Sequence, residues 1–474
     1  MRWSMRAAGM LSVVILARLL KPEDFGILAM ASLLIGALSN FTGVGVGSLL
    51  IREKETSKDD LDTAWTIGIV QGGMLAALVA ALAYPTALYF REPRLTDVIY
   101  VCALALFMSA FSNIGMILVR KELDFAKDFR YHLYLRFVGV ATTIGMAFWL
   151  RSYWALALAR PVTSLMGVAL SFLMHPYRPW FSMKQARRFY SFSVFIVVSN
   201  VARFISSKAD VFIIGSVTNA SQMGIYNVAS EASSIPPKEI TVSVGRAMFP
   251  SLSRIKNDGA SMLDLKGTFL RIIASVALLC LPMGFGMWAI ASDFVRVVLG
   301  ERWMEATGLI GYLAIYGMLE SLVNIMLGHV MIVTGHERRQ AIAWWIRAAL
   351  VTGGALIGMP YGMTGVAIGV TASGFVMFAL AIAMLKSTIA CRVRDFVTIY
   401  WRPTLASLAM AAAVHFAAQA MDVLPVLRLL MSVLIGVASY VTVLLLLWLA
   451  SGRPESAESA TISLVLRRRV AKGS

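Results

Sequence analysis

Charge is scarce in this chain: Asp, Glu, Lys and Arg make up 15% of its 474 residues, where a soluble domain carries roughly a quarter. That scarcity excludes an ordinary globular enzyme, because a mean hydropathy of +0.74 supplies more apolar surface than one core can hide. Cysteine is scarcer still. Cys102, Cys280 and Cys391 lie far apart, in or beside apolar runs, and indicate neither a disulfide framework nor a metal site. His132, His175, His329, His336 and His415 form no cluster, and there is no GxxxxGK[ST] motif to cradle ATP phosphates. Membrane polymerases and ligases need acid and base groups gathered at an interface. The short connections here offer none, so the chain reads as no enzyme and calls for no cofactor and no metal. Acidic residues are outnumbered, 26 against 43 basic ones. Membrane proteins keep Lys and Arg in cytoplasmic connections, so the surplus points to topology and not to nucleic acid.

What is present is a succession of long apolar runs. They predict an all-α, polytopic integral membrane protein with about fourteen transmembrane helices. The spans fall near residues 5–20, 25–51, 63–90, 97–119, 129–150 and 153–174, then 190–216, 222–249, 268–292, 305–333, 340–359 and 364–386, with two more at 401–421 and 426–450. The expected organisation is an N-terminal six-helix lobe (1–174), a second six-helix lobe (175–386), two additional helices (387–450) and a basic tail (451–474). With the N-terminus inside, the inner connections and termini hold 27 Lys and Arg residues, counting Arg6, Arg130, Lys386 and Arg402 at the adjoining span edges, and the outer ones 8, counting Arg18 and Arg428. That asymmetry places both termini in the cytoplasm. The tail, ending in Leu466, Arg467, Arg468, Arg469 and Val470, suits the surface of anionic lipid. The first span is short, free of charge only from Ala7 to Ala17. Two readings stand: Arg2, Arg6 and Arg18 snorkel at its ends, or the true start lies upstream of Met1.

An offset of 198 residues aligns Leu16, Leu19, Phe25, Gly26, Ile27, Ala31 and Ser32 with Ile214, Val217, Met223, Gly224, Ile225, Ala229 and Ser230, and Val46 and Gly47 with Val244 and Gly245. Six helices separate the paired elements, so the repeats share one orientation, related by an axis along the membrane normal. Gly43, Gly45 and Gly47 add a GxxxG spacing suited to close helix contact.

A charge at the bilayer centre costs about 2.5–3.5 kcal/mol on insertion scales, so each one needs a reason. Asn200, Arg203, Ser207 and Asp210 draw one polar stripe along the seventh span. It either lines a hydrated cavity or holds a structural Arg203 to Asp210 contact. Glu231, Ser234 and Lys238 repeat the pattern on the eighth, where Pro236 and Pro237 remove two backbone donors. Glu320, Asn324, Arg160 and Arg347 complete the set, each read equally as a packing hydrogen bond or a substrate contact.

The stretch from Leu16 through Lys21, Pro22, Glu23, Asp24 and Phe25 to Gly26 resembles the first interhelical segment of polysaccharide and oligosaccharide-lipid flippases. Ala209, Asp210, Ile213, Ile214 and Gly215, then Gly224, Ile225 and Tyr226, and Pro236 through Phe249, Pro250, Ser251, Leu252 and Ser253 extend the likeness. These families belong to the multidrug/oligosaccharidyl-lipid/polysaccharide exporter superfamily, whose six-plus-six-plus-two plan matches the span count. The resemblance implies movement of an undecaprenyl-pyrophosphate-linked oligosaccharide or polysaccharide precursor, for lipopolysaccharide or exopolysaccharide, from the inner to the outer leaflet of a bacterial inner membrane by alternating access. Its partners would be the lipid-linked glycan, membrane lipids, and a polysaccharide polymerase and glycosyltransferases. Arg203, Lys238, Arg160, Arg347 and Asn200 are the expected contacts to the anionic cargo, because buried Arg offers bidentate donors to pyrophosphate. Asp210, Glu231 and Glu320 are the expected coupling carboxylates. The alternatives are a multidrug/cation antiporter, which would favour acidic and aromatic lining, and a lipid-linked peptidoglycan precursor flippase.

Overall fold

Long runs of Leu, Ala, Ile, Val and Met satisfy their backbone groups internally only as helices once water is excluded. In a computed structural model, which describes residues 2–42, 50, 56–186, 194–257 and 262–453, the chain is all α-helical. Sixteen α-helices and no strand occur among these residues. They are α1 (Arg2–Leu19), α2 (Pro22–Thr42), α3 (Lys58–Ala81), α4 (Ala83–Phe90), α5 (Leu95–Ser109), α6 (Met116–Lys121), α7 (Phe125–Leu150) and α8 (Tyr153–Met174). There follow α9 (Val194–Val217), α10 (Ala220–Asn257), α11 (Met262–Phe294), α12 (Ala306–Val333), α13 (Glu337–Gly358), α14 (Gly362–Ile389), α15 (Val393–Ala420) and α16 (Pro425–Ala450). With α3 and α4 taken as one segment and α6 as a short appendage, fourteen helical segments remain, in line with the expected number, and eight stretches among the described residues are long and apolar enough to cross a membrane. The chain divides into two compact units, Met1–Asn227 and Val228–Ser474, the division falling within α10.

Two spans end short of the sequence expectation, each for a local reason, and two helices run past it. The span expected at 63–90 breaks at Leu82, because Pro85 in the first turn of α4 has no N–H to continue the ladder. The span expected at 97–119 ends at Ser109. Buried Asn113 diverts the backbone there: its Oδ1 accepts from Gly115 N at 2.9 Å and its Nδ2 donates to the carbonyls of His175 and Tyr177 at 3.2 and 2.8 Å. The helices α10 and α11, with 38 and 33 residues, run to about 57 and 50 Å at a rise of about 1.5 Å per residue, well past a 30 Å hydrocarbon core. Pro236 and Pro237 lie within α10 without ending it. The glycines at 43–47 and the tail beyond Arg453 lie outside the described residues.

Close backbone contact occurs in two places. A Cβ on Gly26 would collide with the carbonyl of Ala220, and one on Gly224 with the carbonyl of Pro22. Because the 198-residue offset maps Pro22 onto Ala220 and Gly26 onto Gly224, the two contacts are one contact repeated about a local two-fold axis. In the second unit, Gly354 and Gly358 of α13 meet Gly369 and Gly365 of α14 with the same intolerance of a side chain. These are two facing GxxxG spacings, the device by which helices approach closely in lipid.

Candidate functional site

The first unit contains an open cavity of about 990 Å³, walled by α1, α2, α5, α7 and α8. Leu16, Leu28, Ile35 and Leu135 are among its apolar lining. Its cations come from two helices. Arg160 on α8 precedes Pro161, and its Nη2 donates to Ser32 Oγ at 2.7 Å, while that hydroxyl donates to the Leu28 carbonyl at 2.7 Å. Arg136 on α7 lies against Gly9 of α1, where any side chain would collide with its guanidinium. Among the described residues neither arginine forms an ion pair. Both can only donate hydrogen bonds, and apolar walls strengthen their pull on an anion.

Asp128, His132 and Arg136 line this cavity from α7 at four-residue spacing, one per turn. Arg120 Nε donates to Asp128 Oδ1 at 2.9 Å, and its Nη2 lies 2.7 Å from His132 Nε2. Since a guanidinium only donates, that imidazole nitrogen accepts. Asp128 thus lines the cavity with its charge already met by Arg120. Sequence reasoning missed Arg136, although the one-per-turn spacing of polar residues leading to it was available to find it.

Of the other expected site residues, Asn200, Arg203 and Ser207 lie on α9 as a stripe that runs from exposed at Arg203 and Ser207 to buried at Asp210. Asp210 Oδ2 accepts the Tyr226 hydroxyl at 3.0 Å. Glu231 is exposed. The second unit gathers Lys238, Glu320 and Arg347. Arg347 is 4% exposed and Glu320 10%, so the pair is held away from water. Arg347 donates to Glu320 Oε1, to Asn324 Oδ1 at 3.0 Å and to the Tyr316 hydroxyl at 3.2 Å, and its guanidinium lies 5.5 Å from the Trp344 ring centroid. Lys238 Nζ stands 3.4 Å from Glu320 Oε2, with its side chain 47% exposed. Arg160 therefore faces a cavity, whereas Arg347 is saturated by protein groups.

Outside the spans, Arg94 hydrogen-bonds Glu92 and holds its carboxyl below the usual range against the opposing pull of burial. It also pairs with Glu23 at the start of α2.

Residues 15–308, more than half of the chain, match a family model described as "Polysaccharide biosynthesis protein". Among curated proteins, the chain is 22% identical over 418 residues to the lipopolysaccharide biosynthesis protein WzxC of Escherichia coli strain K12, covering 84% of this chain and 82% of that one. It is 25% identical to the succinoglycan biosynthesis transport protein ExoT of Rhizobium meliloti (73% and 70% covered). It is equally identical to an uncharacterized membrane protein in the cps region of Klebsiella pneumoniae (67% and 66% covered). Among solved structures, the lipid II flippase MurJ in an inward closed conformation superposes with a TM-score of 0.77 at 14% identity, over 95% of this chain and 98% of that one. An inward-facing multidrug resistance MATE transporter superposes at 0.61 and 15% identity, over 81% and 94%. At such identities the superpositions speak for the fold.

Proposed function

The chain belongs to the polysaccharide biosynthesis protein family, and from that membership we propose that it carries an undecaprenyl-pyrophosphate-linked oligosaccharide or polysaccharide precursor from the cytoplasmic to the outer leaflet by alternating access. It is a transporter and not a catalyst. The observation that carries the choice of cargo is the pair of arginines, Arg136 and Arg160, lining one cavity with neither in an ion pair among the described residues, while the cavity's carboxylate, Asp128, is held by Arg120. A pyrophosphate cannot cross hydrocarbon unpaired, and two planar guanidiniums offer it bidentate donors. A cationic drug would find the wrong sign of charge. At about 990 Å³ the cavity is at the upper end of small-ligand sites, about 300–1,000 Å³. Asn200 and Arg203 on α9 are proposed further contacts, and Asp210 and Glu231 proposed coupling carboxylates.

The basic asymmetry of the connections supports a bacterial inner-membrane location with both termini in the cytoplasm. Labels at Arg178 and Arg91 should then report opposite sides, cytoplasmic and external. Polymerase and glycosyltransferases acting on the same lipid-linked glycan are the proposed functional partners. The deciding experiment measures polysaccharide export and inner-leaflet accumulation of the lipid-linked precursor in cells expressing Arg136→Ala or Arg160→Ala, normalised to folded protein in the membrane. Loss of export with precursor accumulation is expected. Undiminished export by the double variant would sink the assignment of this cavity.

A further inference from the structure

The cluster in the second unit contains more positive charge than its carboxylate requires. Glu320 is nearly buried, and Arg347 alone neutralises it through Oε1 while being fixed by Asn324, Tyr316 and the Trp344 face. Lys238 is a second cation at the other oxygen, Oε2, and it is the one group of the three with an open approach, its side chain 47% exposed. Its helix is anchored just before it: Ser233 Oγ donates to the Ile310 carbonyl of α12 at 3.2 Å, and Gly317 of α12 makes room for the Ser234 backbone. Between that anchor and Lys238 stand Pro236 and Pro237, which leave the carbonyls of Ala232 and Ser233 without their helical donors and make this the compliant turn of α10. A compact, strongly hydrated ammonium on a flexible stem exchanges partners readily, whereas a buried, multiply bonded guanidinium does not.

Resting on the reading that the cargo carries a pyrophosphate, we infer that Glu320 is a parking carboxylate for Lys238. In the empty state Lys238 sits on Glu320. An incoming pyrophosphate draws the ammonium to itself, and Arg347 keeps the buried carboxylate neutralised after Lys238 leaves. Arg347 is then a positioning residue, Lys238 a substrate contact, and Glu320 the group that holds Lys238 without being left charged and unpaired. This assigns Glu320 a role other than ion coupling.

The test uses the full chain in nanodiscs with farnesyl pyrophosphate as the probe and farnesol as its uncharged control. Lysines are reductively ¹³C-methylated, and the Lys238 resonance is identified by its loss in Lys238→Arg. The expected result is a shift of that resonance on adding farnesyl pyrophosphate but not farnesol. Lys238→Met should also bind the probe about tenfold more weakly, the worth of one charge-assisted hydrogen bond, with an unchanged melting temperature. A lowered melting temperature with unchanged affinity and an immobile resonance would make Lys238 a structural partner and overturn the inference while leaving the transport reading intact. Failure of the wild-type chain to bind the diphosphate at all would overturn both.

Discussion

The cavity of the first unit and the buried cluster of the second both place arginine inside apolar helices, and they differ in what the protein supplies to meet it. Arg160 receives neutral groups, the Ser32 hydroxyl and the Cys102 thiol, and an open volume. Arg347 receives a carboxylate, an amide oxygen, a phenol and an aromatic face, with no comparable space beside it. A guanidinium whose charge is not met by its own protein is poised for an anion that arrives later. One whose charge is already met is a fastening between α12 and α13. The residue type is identical in the two places; the partner set decides its use.

The comparison breaks most visibly if both arginines are treated alike. Arg347→Ala leaves nearly buried Glu320 with only the half-exposed Lys238 as counter-charge and should cost about 3–5 kcal/mol of stability. Fluorescence-detected size-exclusion chromatography should show loss of the folded peak, recovered in part by adding Glu320→Gln. Arg160→Ala should leave that peak intact and instead reduce export by roughly tenfold to a hundredfold, the equivalent of about 1.5–3 kcal/mol for a charge-assisted contact. Arg160→Lys should still impair export because the planar fork is lost. A collapse of folding in Arg160→Ala, or normal folding in Arg347→Ala, would erase the distinction.

The local two-fold contact gives a smaller effect. Gly224→Ala forces a methyl into the Pro22 carbonyl and should destabilise the first unit by about 1–3 kcal/mol, and Gly26→Ala should do the same through Ala220. Matching losses in melting temperature would confirm that the repeats make equivalent contacts; an effect at only one glycine would refute it. The smallest effect is at the surface. The folded-state pKa of Glu92 is depressed by Arg94, so the stability it contributes is present above the ordinary glutamate value of 4.5 and is lost as pH falls through the folded value. Melting curves of the wild type should therefore fall more steeply below about pH 4.5 than those of Glu92→Gln, by no more than about 1 kcal/mol because the Arg94 side of the pair is open to solvent.

Helical class and the number of long helices were legible in the sequence, as was the 198-residue offset that pairs Gly26 with Gly224, because they rest on hydrophobic runs and local spacing, which survive without knowledge of neighbours. Even so, the repeat's meaning came from packing: Gly26 and Gly224 are merely two aligned glycines until the chain brings each against the other's helix start. The Asn113 break was hidden because its partners, the carbonyls of His175 and Tyr177, lie some sixty residues away. The same limit applied to the charged residues. Sequence alone determined that Arg160, Arg203, Lys238 and Arg347 sit in apolar helices and must each be met by something, since bare charge in hydrocarbon is too costly to persist. Only the tertiary structure decided that Arg347 meets Glu320, that Lys238 is the surplus cation there, and that Arg160 shares its cavity with Arg136. A side chain's electrostatic fate depends on groups brought near it through space, and those lie on helices far apart along the chain.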